Sequence, residues 1–480
     1  MEKEEGKYRY LVKNTILFTI SSFGSKLLAF FLVPLYTNVL STTDYGIADI
    51  ITTTASVLIY ILTINISASV MRFAIEDKKT PQRSLRYGLQ VLLKGTVIML
   101  SGTIFVWQYN LIKWDNYCYL FLVAIFFVQA LEDIFLNYLR ATDKVYIVVI
   151  SGLLSTSTKL VSNIVTLLVF HCGIIGYLVS VIIGSVISIT FSSFYILPLK
   201  KTNTTVIEDN KLYCEMRKYA IPAAINAVGW WVANGIDRYF LIWIKGVAIN
   251  GIYSVAYKIP TMMSILCNIF SQAWGLSAIR EYNSTDKTDG SNFYKNTYAL
   301  FSAVLMLLCS LLIFLNVIIS KLLFAKDFFE AWKYSSLLIV AMAFSGLGSY
   351  LGGIFSAAKH NSELAISMAI STVINIVLNM FLIPIYGALG AAAATVASYY
   401  VIWLLRYIMS KKYLRFKVNI FRDHIALCAI FIQIIMEHQY NHFYFGQAWV
   451  VLLIIFLYRK EMKGCFVLVM LFIENRKKNS

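Results

Sequence analysis

Long apolar runs recur along almost the whole chain, separated only by short clusters of charge, and this pattern leaves few folds open. A bilayer core about 30 Å thick is crossed by roughly 20 apolar residues in helical form, and helices satisfy their backbone polar groups where no water can. Breaking the runs at the charge clusters predicts about fourteen helices, near 15–37, 47–70, 88–107, 117–138, 145–169, 174–197, 219–243, 250–274, 295–318, 334–357, 364–384, 387–409, 424–440 and 443–458. With 59% of residues hydrophobic, 14% charged and a mean hydropathy of +0.69, the chain reads as an all-α polytopic membrane protein.

A formal charge of +17 raises nucleic acid as a partner, but the distribution of that charge points away from it. Basic residues fall in alternate loops: Lys3, Lys7, Arg9 and Lys13 in the amino-terminal arm, then Arg72, Lys78, Lys79, Arg83 and Arg86, then Lys200, Lys201, Lys211, Arg217 and Lys218. Lys411, Lys412, Arg415, Lys417 and Arg422 follow, and then the tail after Lys460. The richest of the intervening loops carries only Lys321, Lys326 and Lys333. The excess of Lys and Arg on one side predicts that both termini are cytoplasmic, in agreement with an even number of helices. The residues from Met1 lead into a span too long for a signal-peptide core and without a cleavage pattern behind it, so the first helix is expected to be retained.

Cys118, Cys172, Cys214, Cys267, Cys309, Cys428 and Cys465 are scattered without a C-x-x-C, so neither a disulfide framework nor a metal site is expected of them. His438 and His442 stand four apart without an acidic partner and read as part of a solvated loop. No G-x-x-x-x-G-K-[ST] phosphate loop occurs, so no nucleotide-driven motor and no cofactor is expected. The longest outer loop, about 319–333, is too short to fold a catalytic region.

The two halves echo one another at an offset of just over two hundred residues. Asn163-Ile-Val165 followed by Gly173-Ile-Ile-Gly176 returns as Asn375-Ile-Val377 followed by Gly387-Ala-Leu-Gly390, and Asp44-Tyr-Gly-Ile-Ala-Asp49 has a weaker counterpart in Asn250-Gly-Ile-Tyr-Ser-Val255. Copies six helices apart share one orientation, which predicts two lobes related by an axis along the membrane normal, with a substrate held between them. The expected boundaries are a six-helix lobe at 1–198, a polar cytoplasmic linker at 199–211, a second six-helix lobe at 212–410, and two extra helices with a basic tail at 411–480. Gly464 to Ile473 is too short to span and is expected to lie in the interface.

Charges inside such helices are costly and mark function. Lys26 stands about midway along the first predicted helix, where it either snorkels, pairs with a neighbouring helix or lines a path through the membrane. Lys159 lies near the middle of the fifth helix, Lys94 some way into the third, and Arg238 and Lys258 in the seventh and eighth; the acids are Asp237, Glu132, Asp133 and Asp49. A cavity lined by Lys26, Lys159, Arg238 and Lys258 favours an anion. Asp237 serves either as a structural partner for a cation or as a site for a coupling ion, and Glu132 and Asp133, close to Arg140, read as interfacial ion-pair residues. Gly346, Gly348, Gly352 and Gly353 allow close helix packing, and Pro222 and Pro260 are the expected bending points.

Three stretches together resemble the bacterial polysaccharide flippases that export O-antigen or capsule repeat units. These belong to the Wzx-like branch of the superfamily that also holds the multidrug and toxic compound extruders and the lipid II flippase. The stretches are NTILFTISSFGSKLLAFFLVPLYTNVLSTTDYGIADI at 14–50, IDRYFLIWIKGVAINGIYSVAYKIP at 236–260 and NIVLNMFLIPIYGALGAAAATVASY at 375–399. The resemblance covers about residues 10–410. It implies a non-enzymatic flippase in the bacterial cytoplasmic membrane that moves an undecaprenyl-diphosphate-linked oligosaccharide to the outer leaflet by alternating access. H+ or Na+ would be the coupling ion, with a polysaccharide polymerase and other assembly proteins as partners. Lys26 differs from the acidic coupling position of many drug exporters, and the first helix lacks the arginine-containing pattern of the lipid II branch. A cation-coupled exporter and a membrane polymerase or ligase are the competing functions.

The topology is open to test: a cysteine placed at Thr80, in the basic 72–86 loop, is expected to resist membrane-impermeant thiol reagents in intact cells and to react after permeabilisation. Labelling from outside would invert the topology.

Overall fold

The computed structural model describes residues 30–77, 80–112, 114–197, 206–282, 287–358, 360–413, 419–439 and 444–461. Every element among them is helical, and nine of these helices are long and apolar enough to cross a membrane, against about fourteen read from the sequence. Five predicted spans are not among the nine: most of the first lies outside the described residues, the fourteenth is a helix of only 14 residues, and those near 219–243, 250–274 and 424–440 fall in helices that are not both long and apolar enough. The chain forms two compact units, residues 1–239 and 240–480.

The first unit contains α1 (Val33–Val39), α2 (Thr42–Leu62), α3 (Ile66–Glu76), α4 (Gln82–Gln108), α5 (Asn116–Ala141), α6 (Val145–Ile164), α7 (Gly173–Ile196) and most of α8 (Val206–Lys245). Ser41 caps α2: its hydroxyl accepts the Asp44 N–H at 3.0 Å, satisfying a donor that the first turn leaves open. The expected single span at 47–70 is in fact two helices. Ile64 and Asn65 take left-handed backbone angles, φ 47° and 49°, which end α2 and let α3 start in a new direction. Asparagine tolerates this region, whereas β-branched Ile64 is strained there. Thr63 spends its hydroxyl on the Ile59 carbonyl inside α2, and the Asn65 amide reaches the Ala223 carbonyl of α8 at 3.4 Å, so tertiary contacts support the break.

α6 ends in a π-helical turn, Val165–Val169, after which the chain reverses into α7. These two helices approach through small polar residues: the Ser151 hydroxyl meets those of Ser188 and Ser192 at 2.8 and 3.0 Å. A Cβ added at Gly176 would stand 3.0 Å from Thr166. The echo in the second half is built the same way, with Ser371 donating to the Ser398 carbonyl and a Gly390 Cβ falling only 2.3 Å from the Leu382 carbonyl oxygen.

The second unit contains the end of α8, then α9 (Val247–Ala256), α10 (Lys258–Tyr282), α11 (Lys287–Leu323), α12 (Trp332–Ala357), α13 (Asn361–Tyr386), α14 (Ala388–Ser410), α15 (Ile420–Gln439) and α16 (Tyr444–Leu457). The predicted linker at 199–211 lies in part outside the described residues, and from Val206 on it is already helical, as the start of α8. Of the expected bending points, Pro222 is accommodated within α8, whereas Pro260 stands next to the break between α9 and α10. Proline supplies no N–H to the carbonyl four residues back; that carbonyl, Ala256, instead accepts the Ser335 hydroxyl of α12 at 3.0 Å.

α12 is buried on nearly all sides, and its glycines are where its neighbours come closest. A Cβ at Gly353 would lie 2.5 Å from the Trp274 indole nitrogen, which donates to the Tyr350 carbonyl. α15 carries a buried stripe, Asp423, Leu427, Ile430, Ile434 and Glu437, at helical spacing. Its polar members meet α11 and its neighbours. Asp423 accepts from Tyr298, Ser302 and Tyr458, Gln433 and Ser310 exchange hydrogen bonds at 2.7 and 2.9 Å, and Glu437 accepts from Asn316 and Ser336. His438, expected in a solvated loop, is part of α15 with a ring nitrogen 3.0 Å from the Lys333 carbonyl; His442 lies outside the described residues.

Buried hydrogen-bonding groups are costly to orphan, about 1–3 kcal/mol each. Glu437→Ala, which takes the carboxylate acceptor from the Ser336 hydroxyl and one of three acceptors from the Asn316 amide, is therefore expected to lower the melting temperature of the purified protein in detergent, with Glu437→Gln, which keeps a carbonyl acceptor, retaining most of the parent's stability. Equal melting of the Ala variant and the parent would show that this junction adds nothing to stability.

Candidate functional site

The predicted site residues separate on inspection. Lys26 lies outside the described residues. Lys159 is half-buried on α6. Its stem runs across Gly184 of α7, where a Cβ would stand 2.3 Å from the lysine Cγ, so the glycine makes the space in which the side chain lies. Its backbone carbonyl takes the Asn163 amide at 2.7 Å. Among the described residues no carboxylate comes within ion-pair distance of the Lys159 ammonium. A cation in this setting, within a helix apolar enough to span a membrane, is the kind of group that receives an anion or faces water.

Arg238 is differently placed. Its guanidinium donates to the Asp49 carboxylate at 3.1 Å and to the Thr53 hydroxyl at 2.8 Å. Asp49 and Thr53 stand four apart on α2 and so share a helix face. Next to this pair the Thr54 and Tyr239 hydroxyls lie 2.8 Å apart. The charge pair therefore binds α2 to α8 and joins two of the stretches that carry the family resemblance, although 189 positions separate the partners. Asp237 is buried, with one carboxylate oxygen accepting the backbone N–H of Arg238 at 3.1 Å. Lys258, half-buried, is the first residue of α10 at the break after α9 in the second unit.

Other polar groups were less visible in sequence. Asp49 appeared only as one of several acids; the signal that singles it out is a hydroxyl four residues on, which prepares one helix face for a guanidinium. Arg406, inside the span predicted at 387–409, is buried in α14. It donates to the Ser367 hydroxyl at 3.1 Å and to the Gly348 carbonyl at 2.9 Å, joining α12, α13 and α14. Asp133 differs from the expected interfacial ion pair. It takes hydrogen bonds from Asn137 at 3.1 Å and from Ser67, while Arg140 donates to the Asn137 side-chain oxygen at 3.2 Å and is near enough to attract the acid's charge. Among the described residues no group of three or more His, Cys, Asp or Glu side chains is arranged to hold a metal.

Ammonium and guanidinium groups held within spanning helices, with hydroxyls and amides beside them, can bind and release an anionic or polar solute; no nucleophile and base are aligned for covalent chemistry among the groups described above. Comparison with known proteins agrees with a transport fold. The structure matches the lipid II flippase MurJ in its inward closed conformation with a TM-score of 0.70 at 16% identity, covering 94% of this chain and all of that one. An inward-facing multidrug resistance MATE family transporter matches with a TM-score of 0.63 at 11% identity, over 82% of this chain and 95% of the other. A MATE transporter of Vibrio cholerae matches with a TM-score of 0.56 at 11% identity, over 86% and 98%. By sequence, no curated protein matches the chain. The family model described as "Polysaccharide biosynthesis protein" matches residues 11–274, more than half of the chain. This multi-pass membrane protein, with the fold shared by MurJ and the MATE transporters, thus belongs to the polysaccharide biosynthesis protein family.

Proposed function

We propose that the protein is a flippase that carries undecaprenyl-diphosphate-linked oligosaccharide repeat units from the inner to the outer leaflet of the bacterial cytoplasmic membrane, for surface polysaccharide such as capsule or O-antigen. Family membership and the transporter fold support the class. The observation that carries the anionic, lipid-linked substrate is Lys159, a cation inside a spanning helix with no acid at ion-pair distance among the described residues. In a low-dielectric setting such a charge attracts a diphosphate strongly, while the polyprenyl chain stays in lipid. Lys26, Lys159, Arg238 and Lys258 are proposed to meet the head group as two lobes, 1–198 and 212–410, alternate in access, with both termini cytoplasmic. H+ or Na+ bound at Asp237 is proposed to bias the cycle, and the exported unit passes to a polymerase and its assembly partners. Arg238 enters as half of an ion pair, so a diphosphate that reaches it competes with Asp49.

Deleting the gene is expected to make a lipid-linked oligosaccharide accumulate on the cytoplasmic leaflet without changing drug sensitivity. Drug sensitivity without accumulation would favour a cation-coupled exporter of the same fold. Lys159→Ala and Lys26→Ala are each expected to lower surface glycan about tenfold at matched protein levels, and the arginine variants to keep part of the activity. Normal glycan in Lys159→Ala cells would remove this residue from the path.

The Asp49–Arg238 pair gives a separate expectation. Removing one member of a largely buried pair strands the other charge and costs about 3 kcal/mol. Asp49→Asn and Arg238→Gln should each lower the melting temperature, and the double variant should recover much of the loss while remaining defective in transport. A double variant that transports normally would reduce the pair to a packing device.

A further inference from the structure

The break between α2 and α3 opens a cavity of about 680 Å³ in the first unit, bordered by α2, α3, α5 and α8. Among the described residues, none of the proposed diphosphate-binding cations Lys159, Arg238 and Lys258 lines it. Its volume lies within the usual range for small-molecule pockets and far exceeds the space taken by a single ion. Its chemistry is also unlike that of a phosphate site. The lining holds one arginine against two carboxylates: Arg72 is paired with Glu76 at 3.1 Å, and Asp133 adds a further negative charge. A diphosphate would be repelled there. What the walls offer instead are neutral hydrogen-bonding groups and aromatic rings.

Tyr60 presents a hydroxyl with no hydrogen-bond partner among the described residues. Asn65 and Ser67 stand at the break itself, their side chains 3.4 Å apart. Asn137 holds Asp133 by its amide, which leaves carboxylate capacity directed to the cavity lining. At the rim Tyr219 is 40% exposed, its ring flanked by the Arg72 guanidinium 5.0 Å from its centre and by the Phe73 ring in a T-shaped contact. An exposed ring beside a carboxylate, an amide and the Tyr60 hydroxyl suits a polyhydroxy ring: C–H faces lie on the aromatic surface, and hydroxyls pair with planar acceptors.

Resting on the flippase reading above, we propose that this cavity is a saccharide subsite, which takes the neutral sugar portion of the lipid-linked substrate while the cationic residues elsewhere take its diphosphate. On the topology proposed above, the end of α2, the start of α3 and Asp133 all belong to the cytoplasmic half of the first unit, where a repeat unit is met before export. The strained Ile64–Asn65 turn then has a use, because a continuous α2–α3 helix would not leave the Asn65 and Ser67 side chains at the edge of a cleft. Two separate subsites let the protein examine the glycan independently of the lipid carrier that all such substrates share.

The test uses the full-length protein in lipid nanodiscs and two probes: undecaprenyl diphosphate without sugar, and the lipid-linked oligosaccharide extracted from cells that lack the gene. Tyr219→Ala and the cavity-filling Ala68→Trp are expected to weaken oligosaccharide binding about tenfold and to leave undecaprenyl diphosphate binding unchanged, with Tyr219→Phe close to the parent. Loss of both ligands together in these variants would indicate a structural role and overturn the subsite, as would unaltered oligosaccharide binding in both. If the parent binds neither probe and the deletion strain accumulates no lipid-linked sugar, the flippase reading fails and the subsite falls with it.

Discussion

The pairing of Asp49 with Arg238 concentrates the constraint under which the rest of this molecule is built: within a membrane, a charge has to be answered by another part of the protein. Asp49 stands on a helix that Ser41 starts at a defined residue, and Thr53 one turn later completes the acceptor face. α8 brings the guanidinium. The same demand is met elsewhere mainly by neutral groups, with Arg422 also 3.9 Å from Asp423. Arg406 is satisfied by a serine hydroxyl and a glycine carbonyl, Glu437 by an amide and a hydroxyl, and Asp423 by three hydroxyl groups. These buried groups specify which helices meet and in what register, something that interchangeable apolar side chains do weakly.

Breaks in helices serve the same architecture. At Pro260 the missing donor is replaced by the Ser335 hydroxyl from α12, so the interruption is held by its neighbour. At Ile64 and Asn65 the backbone enters the left-handed region and the Asn65 amide crosses to α8. A helix bent in this way exposes side chains that a straight one would turn toward lipid or core, and a polar cleft can form there. A transporter needs such clefts, because its solute is polar and its surroundings are not.

Individual residues show how far a linear reading reaches. Lys159 and Arg238 both read as embedded cations of one kind, yet one lies along Gly184 without a carboxylate at ion-pair distance among the described residues, and the other is held by Asp49. Asp133 read as an interfacial ion-pair partner and instead sits against a serine and an amide at a cavity wall. α15 reads as an addition outside the repeat, and its buried stripe engages α11 through matched polar groups.

Hydropathy, the alternation of basic loops and the paired Asn and Gly motifs are one-dimensional properties, and from them the sequence by itself determined an all-helical membrane protein with an internal echo and charges inside its spans. The rule behind each acts locally: a residue's transfer energy, the length needed to cross hydrocarbon, the small size of glycine where helices touch. Which charge meets which partner was decided only by the tertiary structure, because electrostatic energy depends on distance and burial, and 189 positions of chain lie between Asp49 and Arg238. The division of 47–70 into two helices was likewise decided there. Ile64 takes a strained conformation beside Asn65, whose amide reaches α8, a contact that no local propensity encodes.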